Sequence, residues 1–208
     1  MSSLINTIVF DVGNVIVRYV PQDVLDGTLP NSSYQELIKD HFLLTPIWDE
    51  LDRGSITLDD AFQKVEPLIP DHPNLYSEMA TLVDQFVYYL PLITDTKRIM
   101  KYLRSHYPIY LLSNFQSVPF SKLRELFPFL YEVNGCVVSA HIKMMKPDAE
   151  IYEYFLNKFS LNAENCLFID DRQENIEGCK SIGMDGIVFE SPDQLIEELK
   201  NRDINVVL

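Results

Sequence analysis

Four short polar clusters, each placed beside an apolar run or a proline, could do chemistry together. Asp11 follows Ile8-Val9-Phe10 and opens the segment Asp11-Val12-Gly13-Asn14-Val15. Ser113-Asn114 follows Ile109-Tyr110-Leu111-Leu112, Lys146 precedes Pro147, and Asp170-Asp171 follows Cys166-Leu167-Phe168-Ile169. A carboxylate that ends a buried strand and is followed by a glycine turn suits a ligand site at a sheet edge. Together the carboxylate, hydroxyl, lysine and acidic pair are what magnesium-assisted phosphoryl transfer through a covalent aspartyl intermediate requires.

Positioning these groups is the task of the elements around them. Residues 6–10, 108–112, 135–139, 166–169 and 186–189 read as buried strands, being short apolar runs. Helical patterns lie between them, over residues 97–105, 118–126, 149–159 and 175–182, the last stopping at Gly183. Strand and helix in succession predict an α/β fold, a Rossmann-like parallel sheet covered on both faces. The polar clusters then fall at the carboxyl ends of strands, where open α/β sheets hold their ligands.

Residues 18–90 break this rhythm. They contain no convincing strand, and helix starts are expected at Ser32-Ser33 and at Thr57 ahead of Leu58-Asp59-Asp60. The expected organisation is a core of residues 1–17 and 91–208 with a helical cap, residues 18–90, inserted over Asp11. Such a cap can exclude water and select substrate. Trp48, Phe62, Tyr88 and Tyr89 belong to this segment, and the preferred reading makes them its interior rather than a surface for stacking on a sugar. Arg18 is a candidate contact for substrate or for a surface acid.

The chain has 208 residues and a net charge of −14, from 31 acidic and 17 basic residues. That balance disfavours nucleic acid and anionic membranes as partners, so an anionic substrate needs local positive charge, from Lys146 and a metal ion. Cys136, Cys166 and Cys179 are widely spaced and read as core residues of a reduced protein. His41, His72, His106 and His141 are scattered and suggest no zinc site. With no targeting segment and no membrane-span run recognised, a cytoplasmic location is expected. Composition sets no oligomeric state.

The four clusters, in their order along residues 11–183, resemble the motifs of the haloacid dehalogenase-like hydrolase superfamily, in its form with a helical cap after the first strand. Arg53-Gly54-Ser55-Ile56-Thr57 is similar to a cap segment of its sugar-phosphatase members. The resemblance implies Asp11 as nucleophile, and Ser113, Asn114 (through its backbone N–H) and Lys146 as holders of the phosphate. It also implies Mg2+ on Asp11, Asp171 and the carbonyl of Gly13, with Asp170 bound directly or through water and Asn175 orienting the surroundings. The substrate expected is a small phosphorylated metabolite, such as a hexose 1-phosphate.

One departure stands out. Most phosphatases of this superfamily carry a second aspartate two residues after the nucleophile, as general acid and base; here that residue is Gly13. General acid–base help contributes ~10²–10⁴-fold in rate and must come from elsewhere or go unused. A 2-haloacid dehalogenase, which attacks carbon without such an acid, is an alternative reading; the acidic pair Asp170-Asp171 weighs against it. A non-catalytic phospho-ligand-binding member is the other alternative.

Overall fold

The computed structural model describes residues 5–207. Five strands form one parallel sheet in the order β3-β2-β1-β4-β5: β1 (Thr7–Phe10), β2 (Ile109–Ser113), β3 (Gly135–Val138), β4 (Cys166–Asp170) and β5 (Asp185–Val188). All five expected strands are present, shifted by at most one residue at their ends.

The sheet is buried on both faces, which is why its strands read as continuous apolar runs. Ile8, Phe10, Leu111, Leu167 and Ile169 face one core, which takes in Ile99 and Leu103 of α6 (Thr94–Arg104) and Leu195 and Leu199 of α11 (Pro192–Lys200). Val9, Leu112, Cys166 and Phe168 face the other, with Ile151, Tyr152 and Phe155 of α9 (Ala149–Phe159) and Ile176 and Cys179 of α10 (Gln173–Ser181). Neighbouring residues of one strand thus serve opposite cores. Cys166 and Cys179 are buried and Cys136 is half-buried, all three as free thiols; burial pushes the Cys166 and Cys179 pKa values up to about 11 and about 12.

Between β1 and α6 lie α1 (Pro21–Thr28), α2 (Gln35–Ile38), α3 (Pro46–Arg53), α4 (Leu58–Val65) and α5 (Leu75–Gln85), with no strand among them. Pro46 opens α3 behind Thr45, whose hydroxyl accepts from the Ile47 N–H at 3.2 Å. Thr57 forms the expected capping box with Asp60 at the head of α4. A helix starts after Ser32-Ser33 as expected, with α2 beginning at Gln35, but neither serine caps it: the Ser32 hydroxyl accepts from the Tyr34 N–H and donates to Glu78. After one turn α2 widens into a π-helical turn, Lys39–Leu43. The aromatics pack inward in part: Trp48 sits edge-on between Phe42 and Phe86, and Phe62 meets Tyr76, whereas Tyr88 and Tyr89 are exposed. No helix among the described residues is long and apolar enough to cross a membrane.

Candidate active site

Sheet register assembles the site. Phe10 pairs with Leu111 on one side and Ile169 on the other, so the residues that follow, Asp11 and Asp170, leave the carboxyl edge side by side. The chain passes from β2 and β3 on one side of β1 to β4 and β5 on the other, making β1 the point where a crevice opens.

Lys146 is the hub of the site. It is 2% exposed, and its Nζ lies 2.8 Å from Asp11 Oδ1 and 2.6 Å from Asp170 Oδ2. Burial opposes its charge, but the two carboxylates outweigh that and hold its pKa above the ordinary lysine value. A reciprocal amide pair fixes its backbone: Asn114 Nδ2 donates to the Lys146 carbonyl, and Lys146 N–H donates to Asn114 Oδ1, both at 2.9 Å. The loops after β2 and before α9 are thereby joined.

Asp170 is fully buried and committed to protein donors: beyond Lys146, its Oδ1 accepts from the Arg172 N–H at 2.9 Å and from Asn175 Nδ2 at 2.8 Å. Asp171 accepts at Oδ2 from Asn14 Nδ2 at 3.0 Å, and Asn14 Oδ1 accepts from the Tyr19 N–H at 2.9 Å. Asn14 has a positive φ of 52°, a backbone state that asparagine tolerates better than most side chains. Asp11 Oδ1 has the lysine as a charge partner but no hydrogen bond of good geometry. Burial pushes the Asp11 pKa up to about 7 against the pull of Lys146, and Asp170 adds to the rise. Burial also raises Asp171, opposed by its bond from Asn14.

Asp11, Asp170 and Asp171 each offer a carboxylate oxygen within 4.8 Å of the others. This all-oxygen donor set, with no imidazole or thiolate in it, fits a hard divalent cation. A Cβ added at Gly13 would meet no atom within 4 Å, so the position left bare by the glycine opens into free space.

Above this floor lies a cavity of about 430 Å³, with Asp11, Gly13, Asn14, Asn114, Lys146 and Asp171 in its wall. The other side is supplied by the helical insertion: Leu43, Leu44, Trp48, Asp49 and Asp52, joined by Tyr19, Phe86 and Phe115. Ser113 does not line this cavity; its hydroxyl is 1% exposed and without a hydrogen-bond partner. Arg18 is exposed and lies away from the cavity, as do Phe62, Tyr88 and Tyr89.

A model of the haloacid dehalogenase-like hydrolases matches residues 5–183. The chain belongs to that family. Among curated proteins it is similar to the sesquiterpene phosphatase astK of Aspergillus oryzae, with 26% identity over 188 residues, 90% of this chain and 91% of that one. In fold it is similar to the HAD-family enzyme bt-2542 of Bacteroides thetaiotaomicron, solved with magnesium and inorganic phosphate (TM-score 0.72, 18% identity, 90% of this chain and 95% of that one). The L-2-haloacid dehalogenase of Xanthobacter autotrophicus shares the fold as well (TM-score 0.66, 16% identity, 98% of this chain and 85% of that one).

This hydrolase gathers Asp11, Gly13, Asn114, Lys146, Asp170 and Asp171 at one sheet edge, with Ser113 set behind the wall. Sequence reading missed Tyr19, Asp49 and Asp52. Asp49 and Asp52 sit one turn apart on α3, and that spacing is the only signal the sequence carries for them.

Proposed function

We propose that this hydrolase is a magnesium-dependent phosphatase of small phosphorylated metabolites, acting through an aspartyl-phosphate intermediate on Asp11. The observation that carries the reading is the floor of the cavity: a carboxylate at a strand end, 2.8 Å from a buried lysine and beside two further carboxylates. Asp11 attacks phosphorus in line. Lys146 neutralises charge shared between the nucleophile and the phosphoryl oxygens, a task that suits a point charge on a flexible stem. The backbone N–H of Asn114, beside Lys146, is the further donor to phosphate, whereas the Ser113 hydroxyl lies behind the cavity wall. Asp11, Asp171 and the Gly13 carbonyl would hold Mg2+, which supplies charge stabilisation on the phosphoryl oxygens. Asp170, already saturated by Lys146, Arg172 and Asn175, acts by holding the lysine and meets the metal at most through water.

The helical segment, residues 18–90, serves as the cap and supplies the leaving-group side of the cavity. Sugar phosphates are the first substrate class: Asp49, Asp52 and the unpartnered Tyr19 hydroxyl offer polar partners to sugar hydroxyls. A prenyl monophosphate is the second, favoured by the apolar wall of Leu43, Leu44, Trp48, Phe86 and Phe115 and by the likeness to a sesquiterpene phosphatase. Dehalogenation is disfavoured, because attack on carbon has no use for the carboxylates beside Asp11.

The test is phosphate release from sugar, nucleotide, acyl and prenyl monophosphates, with magnesium and with excess chelator. Metal-dependent release that Asp11→Asn abolishes, at unchanged circular dichroism, is the expected result. Release that survives in Asp11→Asn overturns the covalent mechanism.

A further inference from the structure

Gly13 offers no side chain that could carry a proton to a leaving group, and the helical segment places one acid of note in the cavity. Asp52 stands at the end of α3 and lines the same cavity as Asp11 and Gly13, from the opposite wall. Three contacts hold that end of α3 against the core. Ser139 Oγ, fully buried, donates to the Asp52 carbonyl while accepting from the Phe115 N–H at 2.9 Å. Arg53 pairs with Asp148 at 3.2 Å. Gly54, left-handed at φ 72°, lies so close to Ala140 that an added Cβ would come 2.7 Å from its carbonyl oxygen.

The surroundings of the Asp52 side chain differ from those of a structural acid. Its carboxyl has no ion pair and no bond to Asp11, Asp170 or Asp171 among the described residues. Beside it is the buried Gln116 amide, and the unpartnered Tyr19 hydroxyl belongs to the same cavity wall. Asp49, on the same helix, and Asp11, across the cavity, are the charged groups that face it. Burial, with the repulsion of these two, lifts its pKa well above the ordinary carboxyl value, while Gln116 opposes the rise.

We infer that Asp52 is the general acid and base of the reaction, a catalytic residue contributed by the cap in place of the side chain missing at Gly13. In the first step an Asp11 oxygen bonds to phosphorus, the bond from phosphorus to the leaving oxygen breaks, and the Asp52 carboxyl proton passes to that oxygen. In the second, the Asp52 carboxylate takes a proton from water as the water oxygen bonds to phosphorus. The bond between phosphorus and Asp11 then breaks, returning both residues to their starting states. The inference rests on the phosphatase reading above.

The experiment compares wild type and Asp52→Asn on an alkyl phosphate, whose leaving oxygen needs a proton, and on 4-nitrophenyl phosphate, whose leaving group does not. Asp52→Asn is expected to lose ~10²–10⁴-fold in kcat on the alkyl ester. On the aryl ester it should give a burst of nitrophenolate equal to the enzyme and then slow turnover, because the aspartyl phosphate forms but lacks its base. Equal losses on both esters without a burst, or a change in KM alone, would show a merely structural or binding role and overturn the inference. Should the variant not fold, wild type decides: a steep fall in kcat/KM with leaving-group pKa means that no acid operates. A wild type that hydrolyses no ester fails the phosphatase reading itself, an outcome distinct from wild-type turnover that Asp52→Asn leaves intact.

Discussion

Two residues in the cavity wall differ in how openly the sequence announces them. Asp11 is legible because a carboxylate at the end of Ile8-Val9-Phe10 has few structural reasons to be there. Asp52 is not, because an acid on a short helix looks the same whether it meets water or a substrate; only the fold puts it in the wall of the same cavity as Asp11. Gly13 lies between these cases, since its type is plain in the sequence and the space beside it is not. An added Cβ there meets nothing within 4 Å, so Gly13→Asp is expected to fold and to place a carboxyl directly over the nucleophile. Placed in the Asp52→Asn variant, it should restore kcat on alkyl phosphates by about tenfold or more, within the range of general acid–base help, and the gain should shrink on 4-nitrophenyl phosphate. An equal gain on both esters, measured side by side, would show that the new carboxyl acts by some means other than proton transfer.

At the scale of elements, the sheet was the easier part to read. Buried parallel strands are bare apolar runs, and all five are where those runs lie. The segment between β1 and α6 was legible as helical but not in detail. Ser32 turns its hydroxyl to Glu78 rather than capping a helix, and no residue type signals the π-helical turn at Lys39–Leu43 that leads into the cavity wall. Close contacts between elements also lie beyond sequence reading. Gly178 of α10 is one: an added Cβ would stand 2.5 Å from the Pro147 carbonyl oxygen, next to the residue that carries the catalytic-site ammonium. Gly178→Ala gains about 1 kcal/mol of helix propensity but forces backbone apart in a packed region, at a cost of roughly 1–3 kcal/mol. The second effect is expected to win, because the obstacle is main chain and not the end of a flexible side chain. Turnover should fall along with Tm as Lys146 shifts; a melting curve and a rate assay on one preparation check both, and unchanged values would show that α10 yields without disturbing the lysine.

For the whole molecule, acidity and metal binding are expected to be linked. Asp11 has a folded pKa of about 7 against an ordinary value of 3.8. Between these values the native state keeps a proton that the unfolded chain has lost, so this group's contribution to stability falls as pH rises through that window and levels off above it. A cation on the same carboxylate competes with the proton. Magnesium is therefore expected to raise Tm more at pH 8 than at pH 5.5. At a concentration about 100-fold above Kd the gain is about 2.7 kcal/mol, roughly 5–10 °C for a chain of this size. Asp171→Asn should lose most of it. An increment that ignores both pH and Asp171 would place the cation elsewhere. The cluster of three carboxylates around a single ammonium also dictates a sequence of arrivals. On the phosphatase reading, a divalent ion is needed before this floor can accept a dianion, so the metal is expected to enter before the phosphate ester and to leave after the phosphate product. Inorganic phosphate should then inhibit only in the presence of magnesium, and the two should bind with positive cooperativity.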